Sequence, residues 1–316
     1  MIYKDPQDQV VDDEAIKVFI DAYGERATSL PPVAIVIAAY NEAGAIGPVI
    51  EALPAQVRGL ATAAIVVADG CADGTAAEAA AAGAMVCDVP VNRGQGAALR
   101  LGYRLAREGG AQYIVTTDAD GQYNPAEMDA VLRPVVEGKA DFVTGSRRLG
   151  SQETKDLVRR LGTWVFAVTI SVLTGQRITD SSFGLRAMRA EVTGTIRLAQ
   201  PQYQSSELLI AVLTHGFRVT EVPATIHKRK VGESKKGHNA IYGLKYAGVV
   251  LGTWWRERQR RAPGSGRAAS SRAGRRPGER SAALPAQADE PFTPAPAAEP
   301  AAANGSEATT PSPAVD

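Results

Sequence analysis

Residues 112–122 read QYIVTTDADGQ, an apolar run that ends in two aspartates one residue apart. Alternate side chains of a strand point to the same side of a sheet, so we expect Asp118 and Asp120 to face the same way. Two carboxylates this close repel each other unless something compensates their charge. The stretch therefore predicts the end of a buried strand that holds a metal ion, a basic side chain or one shared proton.

Further apolar runs of similar length indicate more strands, at residues 33–40, 63–69, 84–90 and 140–146. Stretches with helical spacing lie between the strands, at residues 44–53, 74–83, 96–108 and 125–137. Short, nearly continuous apolar strands that alternate with helices are typical of a doubly wound, mostly parallel sheet with flanking helices. The sequence therefore predicts the α/β class, with another short helix at residues 12–26 packed on the domain.

Polar residues follow each predicted strand. They are Tyr40, Asn41 and Glu42, then Asp69, then Asn92 and Arg93, then Asp118, Ala119 and Asp120, and finally Arg147. In doubly wound sheets, ligands bind beyond the carboxyl ends of the strands. A succession of polar strand ends therefore predicts one binding site along that edge of the sheet.

The two aspartates suit a divalent cation that is bound together with a diphosphate. Mg²⁺ and Mn²⁺ take few protein ligands, usually carboxylates, and share the remaining positions with phosphate and water. We expect Asp118, Asp120 and the amide of Gln122 to bind Mg²⁺ or Mn²⁺. The alternative is a turn whose aspartates are only solvated.

Other strand ends have both a binding and a structural interpretation. As an unpaired carboxylate, Asp69 can accept hydrogen bonds from the N–H edge of a nucleobase, or it can cap the next helix, a role that suits Asp73 better. Glu42 either accepts from a ribose hydroxyl or caps the helix that follows. The loop NRGQGAA at 92–98 carries Arg93 and opens a helix, so we expect its backbone N–H groups to face phosphate and Arg93 to help bind the donor.

Six segments carry a resemblance when they are taken in order: AAYNE, VVADGCADGT, NRGQGAAL, DADGQYNP, FVTGSR and DSSFGLRAM. Together they resemble family 2 glycosyltransferases of the GT-A fold, and among these the dolichyl-phosphate mannose synthases and bacterial polyprenyl-phosphate glycosyltransferases. The likeness covers about residues 32–240. It implies an inverting, metal-dependent transfer of a sugar from a UDP- or GDP-linked donor to a polyprenyl phosphate.

The resemblance also implies roles for single residues. On the nucleotide side, Ala39, Tyr40 and Glu42 match the strand end that contacts the nucleoside, and Asp69 matches the aspartate that reads the base. The metal-binding set is matched by Asp118, Asp120 and Gln122, with Ala119 beside the donor and Asp120 also in the catalytic centre. The family usually has DDGS where this chain has ADGC at 68–71, which leaves the identity of the base open.

Basic residues of the second half match groups that the family places near the phosphates. They are Arg147 and Arg186, and the segment with Lys228, Arg229, Ser234 and Lys235, which resembles a basic lid over the donor. The acceptor decides whether a general base is also needed, because a hydroxyl requires one and an ionised phosphate does not. Asp180 and Glu207 are the base candidates for a hydroxyl acceptor, although Asp180 can instead hold the backbone or Arg186.

No acidic dipeptide of the kind that hydroxyl-acceptor members of this family tend to carry occurs in this region, which favours a phosphate acceptor. Transfer to a small soluble acceptor is the alternative, and a non-catalytic nucleotide-sugar-binding protein is a third. Apolar stretches with basic neighbours lie at 161–175 and 239–261. Such stretches suit either peripheral contact with a membrane surface or packing on the catalytic domain.

Composition sets further bounds. The chain of 316 residues has a net charge of +1, which predicts no nucleic-acid partner, and its two cysteines, Cys71 and Cys87, have no metal-ligand spacing. Neither a signal peptide nor a run of about 18 apolar residues is found, so we expect a cytoplasmic location or the inner face of the cell membrane.

The expected domains are an N-terminal helical extension (1–31), a catalytic domain (32–240), an amphipathic basic helix (241–261) and a disordered tail (262–316), with the oligomeric state left open.

Overall fold

One eight-stranded sheet organises the part of the chain that the computed structural model describes, residues 6–153, 157–228 and 240–261. Its strands are β1 (Val33–Ala39), β2 (Gln56–Val57), β3 (Leu60–Asp69), β4 (Met85–Val89), β5 (Tyr113–Asp118), β6 (Phe142–Gln152), β7 (Arg186–Arg189) and β8 (Val219–Ile226). The described residues belong to a compact unit, Met1–Arg267, while a second unit, Ala268–Asp316, lies outside them. The predicted tail at 262–316 is therefore also outside the described residues.

The strand order is β2-β3-β1-β5-β7-β6-β8, with β4 paired to β3. Strands β4, β3, β1 and β5 run parallel, β8 is parallel to β6, and β7 is antiparallel to both β5 and β6. The predicted mostly parallel α/β sheet is confirmed, and so are all the strands predicted from apolar runs. The sequence did not reveal β2, β7 or β8.

Helices cover both faces of the sheet. They are α1 (Pro6–Tyr23), α2 (Glu25–Thr28), α3 (Ile46–Glu51), α4 (Thr75–Ala81), α5 (Gln95–Glu108), α6 (Met128–Val136), α7 (Leu157–Thr174), α8 (Ala190–Thr195), α9 (Gln204–Thr214) and α10 (Ala240–Arg261). A 3-10 turn, Pro125–Glu127, precedes α6, and the Asn124 side chain caps it by accepting from the N–H of Ala126. The predicted helices are all present, and α1 begins earlier than the expected residue 12.

The core has two layers because β1 is buried on both faces. Ala34 and Val36 of β1 belong to the layer that contains α1, α5 and α9, whereas Ile35 and Ile37 belong to the layer that contains α3 and α6. This alternation is what a central parallel strand requires, since helices cover each side of it. The strand therefore has no polar residue until it reaches its carboxyl end.

The register places the predicted strand ends side by side. Ala38 of β1 lies opposite Asp118 of β5, and on the other side Ala39 lies opposite Ala68, the neighbour of Asp69. Asp118 of β5 and Asp69 of β3 thus lie on opposite sides of the end of β1. Behind them Gly70 has a φ of 68°, and a side chain there would collide with the backbone of Asn92, so only glycine fits the turn.

Candidate active site

An open cleft of about 450 Å³ lies at the carboxyl edge of the sheet and includes both aspartates of the DAD segment. Its apolar wall is formed by α3 and the residues beside it, and its polar end contains Asp118, Asp120, Glu153, His227 and Lys228. Both aspartates therefore line the same cleft, and their role as a binding site stays a prediction. The cleft is where this edge of the sheet can admit a ligand.

The two aspartates are held differently. Asp118 ends β5 and is half-buried, and Gln95 at the start of α5 approaches its Oδ1 with Nε2 at 3.4 Å. Asp120 is buried, and its Oδ1 accepts the backbone N–H of Gln122 at 3.1 Å. The hydrogen bond from the Gln122 N–H to Asp120 closes a tight turn, which fixes Asp120 at the mouth of the cleft.

Two carboxylates at one cleft fit a divalent cation shared with a diphosphate, because Mg²⁺ and Mn²⁺ need few protein ligands in such sites. The described residues contain no group of three or more His, Cys, Asp or Glu side chains that could hold a metal by themselves. The predicted third ligand, Gln122, donates from Nε2 to the carbonyl oxygen of His227 at 2.9 Å, so its amide ties the DAD loop to the end of β8. Its role as a ligand stays a prediction.

The Asp69 carboxylate is not unpaired, so that expectation is wrong. Its Oδ2 accepts the backbone N–H groups of Arg93 at 2.8 Å and Gly94 at 2.7 Å. Burial raises the pKa of Asp69, although these two N–H groups and the charge of Arg93 oppose the rise. Asp69 therefore anchors the loop at 92–98 through Oδ2. Its predicted contact with a nucleobase would have to be made by Oδ1.

The loop at 92–98 does not present its N–H groups to the cleft as expected. The N–H groups of Arg93 and Gly94 are bound by Asp69, and that of Gly96 donates to the carbonyl of Pro201 at 2.9 Å. The Arg93 guanidinium, only 10% exposed, donates from Nη1 to Asp12 of α1 at 2.8 Å. Helix α1 therefore holds the Arg93 side chain, and the role of Arg93 toward the donor stays a prediction.

The strand end after β1 is fixed by α4 and the loop that precedes it. The Glu42 backbone N–H donates to Thr75 Oγ1 at 2.8 Å, and Asn41 Oδ1 accepts from the N–H of Ala72 at 2.8 Å. The N–H groups at the start of α3 bind Glu78, from Gly44 at 2.6 Å and Gly47 at 2.8 Å. The backbone carbonyl of Glu42 also accepts the N–H groups of Ala45 and Ile46 at 3.0 Å, so both Glu78 and Glu42 hold the start of α3. The roles of Glu42, Ala39 and the exposed Tyr40 toward a nucleoside stay predictions.

Arg147 and Asp180 form a buried ion pair. Arg147 Nε is 2.6 Å from Asp180 Oδ2, Nη2 is 3.3 Å from Oδ1, and Nη2 also donates to Ser182 Oγ at 3.1 Å. Burial has the largest effect and lowers the pKa of Arg147, but the charge and hydrogen bond of Asp180, together with Tyr123 and Tyr246, raise it above its usual value. Asp180 accepts in addition from the N–H of Ser182 at 3.1 Å. It therefore holds Arg147, not Arg186, and is poorly placed to act as a general base.

Arg186 starts β7 and lies opposite Thr116 and Thr144 inside the sheet. It is 3% exposed, and its Nη2 has no hydrogen-bond partner among the described residues. Met188, two residues further along β7, belongs to the core layer that contains α5, and alternate side chains of a strand share a face. The structure thus places Arg186 on the α5 side of the sheet, and its contact with phosphate stays a prediction.

Glu207 is fully buried and is not available as a base. Its carboxylate accepts the N–H groups of Ala199 at 2.9 Å and Gln200 at 2.9 Å, and it pairs with Arg256 of α10 at 2.8 Å. This anchor joins α9 to α10. A second anchor that the sequence did not reveal is Glu221, which accepts the N–H groups of Thr179 at 2.8 Å and Asp180 at 2.9 Å and thereby places Asp180.

The predicted basic lid is described only at its first residue. The backbone N–H of Lys228 donates to Glu153 Oε2 at 2.9 Å, and the adjacent His227 Nδ1 lies 2.9 Å from Glu153 Oε1. The hydrogen bonds and charges of His227 and Lys228 lower the pKa of Glu153. Lys228 therefore lines the cleft as expected, whereas Arg229, Ser234 and Lys235 lie outside the described residues.

The motifs at this edge belong to a known family, and residues 34–197 match its model, described as glycosyl transferase family 2. The chain belongs to the family 2 glycosyltransferases. An uncharacterized protein of Methanocaldococcus jannaschii is 34% identical over 67% of this chain and 87% of its own length. A dolichyl-phosphate hexose transferase of Haloferax volcanii is 32% identical over 64% of this chain and 85% of its own length. Further relatives of this glycosyltransferase are dolichyl- and undecaprenyl-phosphate glycosyltransferases.

Solved structures share the fold of this glycosyltransferase. Glucosyl-3-phosphoglycerate synthase from Mycobacterium tuberculosis, in complex with Mn²⁺, uridine diphosphate and phosphoglyceric acid, superposes with a TM-score of 0.58. It is 19% identical and the match covers 75% of this chain and 82% of that one. At this identity the likeness shows the GT-A type of fold alone. None of the described helices is both long and apolar enough to cross a membrane.

Proposed function

We propose that this chain is an inverting, metal-dependent glycosyltransferase that moves a sugar from a UDP- or GDP-linked donor to a polyprenyl phosphate. The observation that carries the proposal is the pair Asp118 and Asp120 at the mouth of an open cleft. A Mg²⁺ or Mn²⁺ ion bound there would supply positive charge to the departing diphosphate. Asp118 and Asp120 would hold that ion, and the turn between Asp120 and Gln122 keeps the second carboxylate in place.

Inversion requires the acceptor oxygen to approach C1 of the sugar from the face opposite the diphosphate. The new C1–O bond forms as the bond to the diphosphate oxygen breaks, and the diphosphate carries away the electron pair. A hydroxyl acceptor would lose a proton in this step, whereas an ionised phosphate has none to lose. The residues best placed by sequence to take that proton, Asp180 and Glu207, are both buried and bound to arginines. A phosphate acceptor therefore fits this site better.

Arg147 is the side chain that we assign to the acceptor phosphate. Asp180 takes Nε and Nη2 of its guanidinium and so fixes the plane of the group. The guanidinium also lies 5.7 Å from the centre of the Phe183 ring. Because Nε and Nη2 are engaged by Asp180 and Ser182, Nη1 is the nitrogen that would donate to a phosphate oxygen, and the fixed plane of the guanidinium reduces the entropy lost on binding.

The long apolar tail of such an acceptor explains an exposed surface that we name the apolar stripe. It consists of Leu161, Trp164, Val165, Val168 and Val172 of α7 together with Leu251 and Trp255 of α10. The two helices are joined, because Trp254 Nε1 donates to the carbonyl of Leu173 at 2.7 Å. Exposed large apolar side chains that recur along one helix face are typical of interaction surfaces.

An anionic bilayer surface is the partner that we propose for the apolar stripe. Helix α7 has no Asp or Glu, and Arg160 and Arg258 are exposed beside the stripe. Each basic residue near an anionic surface adds roughly 1 kcal/mol of attraction. Apolar side chains, tryptophans and arginines together suit the headgroup region, where a polyprenyl phosphate presents its phosphate.

Product analysis tests the proposal. The full chain is incubated with MnCl₂, a UDP- or GDP-sugar and a short-chain polyprenyl phosphate, and the lipid extract is examined by mass spectrometry. We expect the sugar on the lipid phosphate, and its loss when EDTA is added. Transfer only to a soluble acceptor such as phosphoglyceric acid would replace the polyprenyl assignment, and binding without transfer to either acceptor would indicate a non-catalytic protein.

A further inference from the structure

The turn of the DAD segment is joined to the end of β8 by a pair of hydrogen bonds. The Gln122 carbonyl accepts the backbone N–H of His227 at 2.8 Å, and Gln122 Nε2 donates to the His227 carbonyl at 2.9 Å. Because Asp120 binds the N–H of the same Gln122 at 3.1 Å, His227 has a fixed position relative to a carboxylate that we assign to the metal.

The carboxylate of Glu153, the residue after β6, is held at this place. Its Oε1 lies 2.9 Å from His227 Nδ1, and its Oε2 accepts the backbone N–H of Lys228 at 2.9 Å. The N–H of Glu153 donates to the carbonyl of Ile226 at 3.2 Å, which fixes its backbone as well. A carboxylate oxygen can accept two hydrogen bonds. Each oxygen of Glu153 therefore has one contact in the described part of the chain and one further lone pair, and 47% of the side chain is exposed.

The cleft that Glu153 lines reaches from the metal carboxylates toward the arginine assigned to the acceptor. The two aspartates of the DAD segment lie at its mouth, and Tyr123 is another of its lining residues. The ring of Tyr123 is 4.9 Å from that of Phe183, and the guanidinium of Arg147 lies 5.7 Å from the centre of the Phe183 ring. The cleft therefore occupies the interval between the two ends of the proposed reaction.

The transferred sugar has to lie in this interval. Its C1 is bonded to the diphosphate at the metal and is attacked by the acceptor phosphate at Arg147, so the ring stands between the two. One wall of the cleft is apolar and is formed by α3, whereas Glu153 belongs to the polar end. In pockets of this kind a few polar groups fix the orientation of the ligand.

We propose, on the basis of the function proposed above, that Glu153 is a specificity-determining residue that binds two neighbouring hydroxyls of the transferred sugar and restricts the donor to uncharged hexoses. Two adjacent hydroxyls present two O–H donors side by side. They match the one further lone pair on each oxygen of Glu153. Hydrogen bonds to an ionised carboxylate are roughly twice as strong as those between neutral groups.

The charge of the cleft disfavours uronic acids. Its lining includes three carboxylates, those of Asp118, Asp120 and Glu153, together with the cation of Lys228. A divalent ion would balance the two aspartates, and the diphosphate of the donor then adds negative charge. One lysine cannot compensate both Glu153 and a sugar carboxylate, so a uronic acid would meet a like charge.

Calorimetric titration of the full chain in MnCl₂ tests the charge preference. The ligands are UDP-glucose and UDP-glucuronate, then GDP-mannose and GDP-mannuronate, with UDP and GDP as references without a sugar. For the nucleotide that binds, we expect the uncharged sugar form to bind at least about tenfold more tightly than the uronate form. Equal affinities, or tighter binding of the uronate, would overturn the preference.

Glu153→Gln tests the residue itself. The glutamine keeps an oxygen for the N–H of Lys228 and an amide N–H for His227 Nδ1, but it loses the charge and one acceptor. It should weaken binding of the uncharged sugar nucleotide about tenfold, leave the affinity for the nucleotide without sugar unchanged, and reduce the difference from the uronate. The matched control is Glu191→Gln, an exposed glutamate paired with Arg189, which should change none of these affinities.

The results separate this inference from the proposed function. If no nucleotide binds in MnCl₂, the donor site and with it the proposed function are overturned. If nucleotides bind but a folded Glu153→Gln chain keeps the wild-type ratio between sugar-nucleotide and nucleotide affinity, the role of Glu153 is overturned. That result includes an equal loss of both affinities, which would show that Glu153 only supports the structure. Thermal unfolding of each variant establishes that it is folded.

Discussion

Arg147 and Asp180 lie 33 positions apart in the sequence, yet the guanidinium and the carboxylate meet at 2.6 Å with Asp180 entirely buried. Breaking such a pair leaves an uncompensated buried charge. Because Arg147 is assigned to the acceptor phosphate, the pair links the stability of the fold to the geometry of the site.

Asp180→Asn should lower the free energy of unfolding by about 3 kcal/mol, the usual cost of removing one partner of a buried pair. It should also raise the KM for the acceptor more than it lowers kcat, because the guanidinium loses its fixed plane. Urea unfolding and acceptor titrations provide the two measurements. Asp129→Asn, which breaks the exposed pair with Arg133, is the control and should change neither. An unchanged KM in a folded Asp180→Asn enzyme would remove Arg147 from the acceptor site.

Asp120→Ala should abolish turnover without unfolding the chain, because it removes one of the two carboxylates assigned to the metal. In the wild-type chain, MnCl₂ with a nucleotide diphosphate should raise the melting temperature by mass action. The variant should lose that shift while its melting temperature without ligand stays close to wild type. Asp21→Ala, an exposed position on α1, serves as the control. Near-normal activity of Asp120→Ala in EDTA would contradict the metal role.

Glu207→Gln should destabilise the fold and leave the chemistry intact. The glutamine has one acceptor oxygen for the N–H groups of Ala199 and Gln200 and for Arg256, so at least one of these donors is left unpaired. We expect a lower melting temperature and an unchanged kcat per folded molecule. A loss of more than about a hundredfold in kcat, about 2.7 kcal/mol, with the fold preserved would restore Glu207 as a base.

The Cys87 thiol should make stability fall at alkaline pH. Burial, together with the charge of Asp12, raises its pKa from 9.0 to about 12. A group with a higher pKa in the folded chain than in the unfolded chain contributes its full stability at pH values below the unfolded-state pKa. That contribution is lost as the pH rises through the folded-state pKa. The free energy of unfolding should therefore decline between pH 9 and about 12, by up to about 1.4 kcal/mol per pH unit. Cys87→Ala should reduce the decline of the unfolding free energy with pH. The same decline in the variant and the wild-type chain would contradict the raised pKa of Cys87.

The apolar stripe should bind anionic vesicles in a salt-dependent way. Val172→Glu and Trp255→Glu place charge on the stripe and should each reduce co-sedimentation with phosphatidylglycerol vesicles. Val10→Glu introduces the same charge at an exposed apolar position of α1 and should have no effect. Absence of wild-type binding at low salt would favour a soluble acceptor.

The sequence predicted the strands around the site because a buried parallel strand is a continuous apolar run, and this pattern is local. The polar ends of β1, β3 and β5 then followed from the rule that carboxyl ends meet at one edge. Strand β7 was missed because RAMR is short and half polar, with nothing in its own residues to distinguish it from a loop.

Partners of buried charges could not be predicted in the same way. The sequence assigned Arg93 to the donor site and did not predict its partner Asp12, which is 81 positions away on a helix that precedes the family domain. The acidic spacing of Asp8 and Asp12 on one face of α1 was the signal that was overlooked. Whether Asp180 held Arg147 or Arg186 depended on which strands became neighbours, and only the tertiary structure decides that.

The short strand β7 also governs the order in which this chain can fold. Strand β6 pairs only with β7 and β8 among the described strands, and both follow it in the sequence. During synthesis, residues 142–152 therefore leave the ribosome before any strand partner exists, while β1, β3, β4 and β5 can already assemble. Closing the sheet must wait for Arg186–Arg189 to insert between β5 and β6. A chain released before that point would carry an unpaired strand and an open β5 edge, which is a template for aggregation.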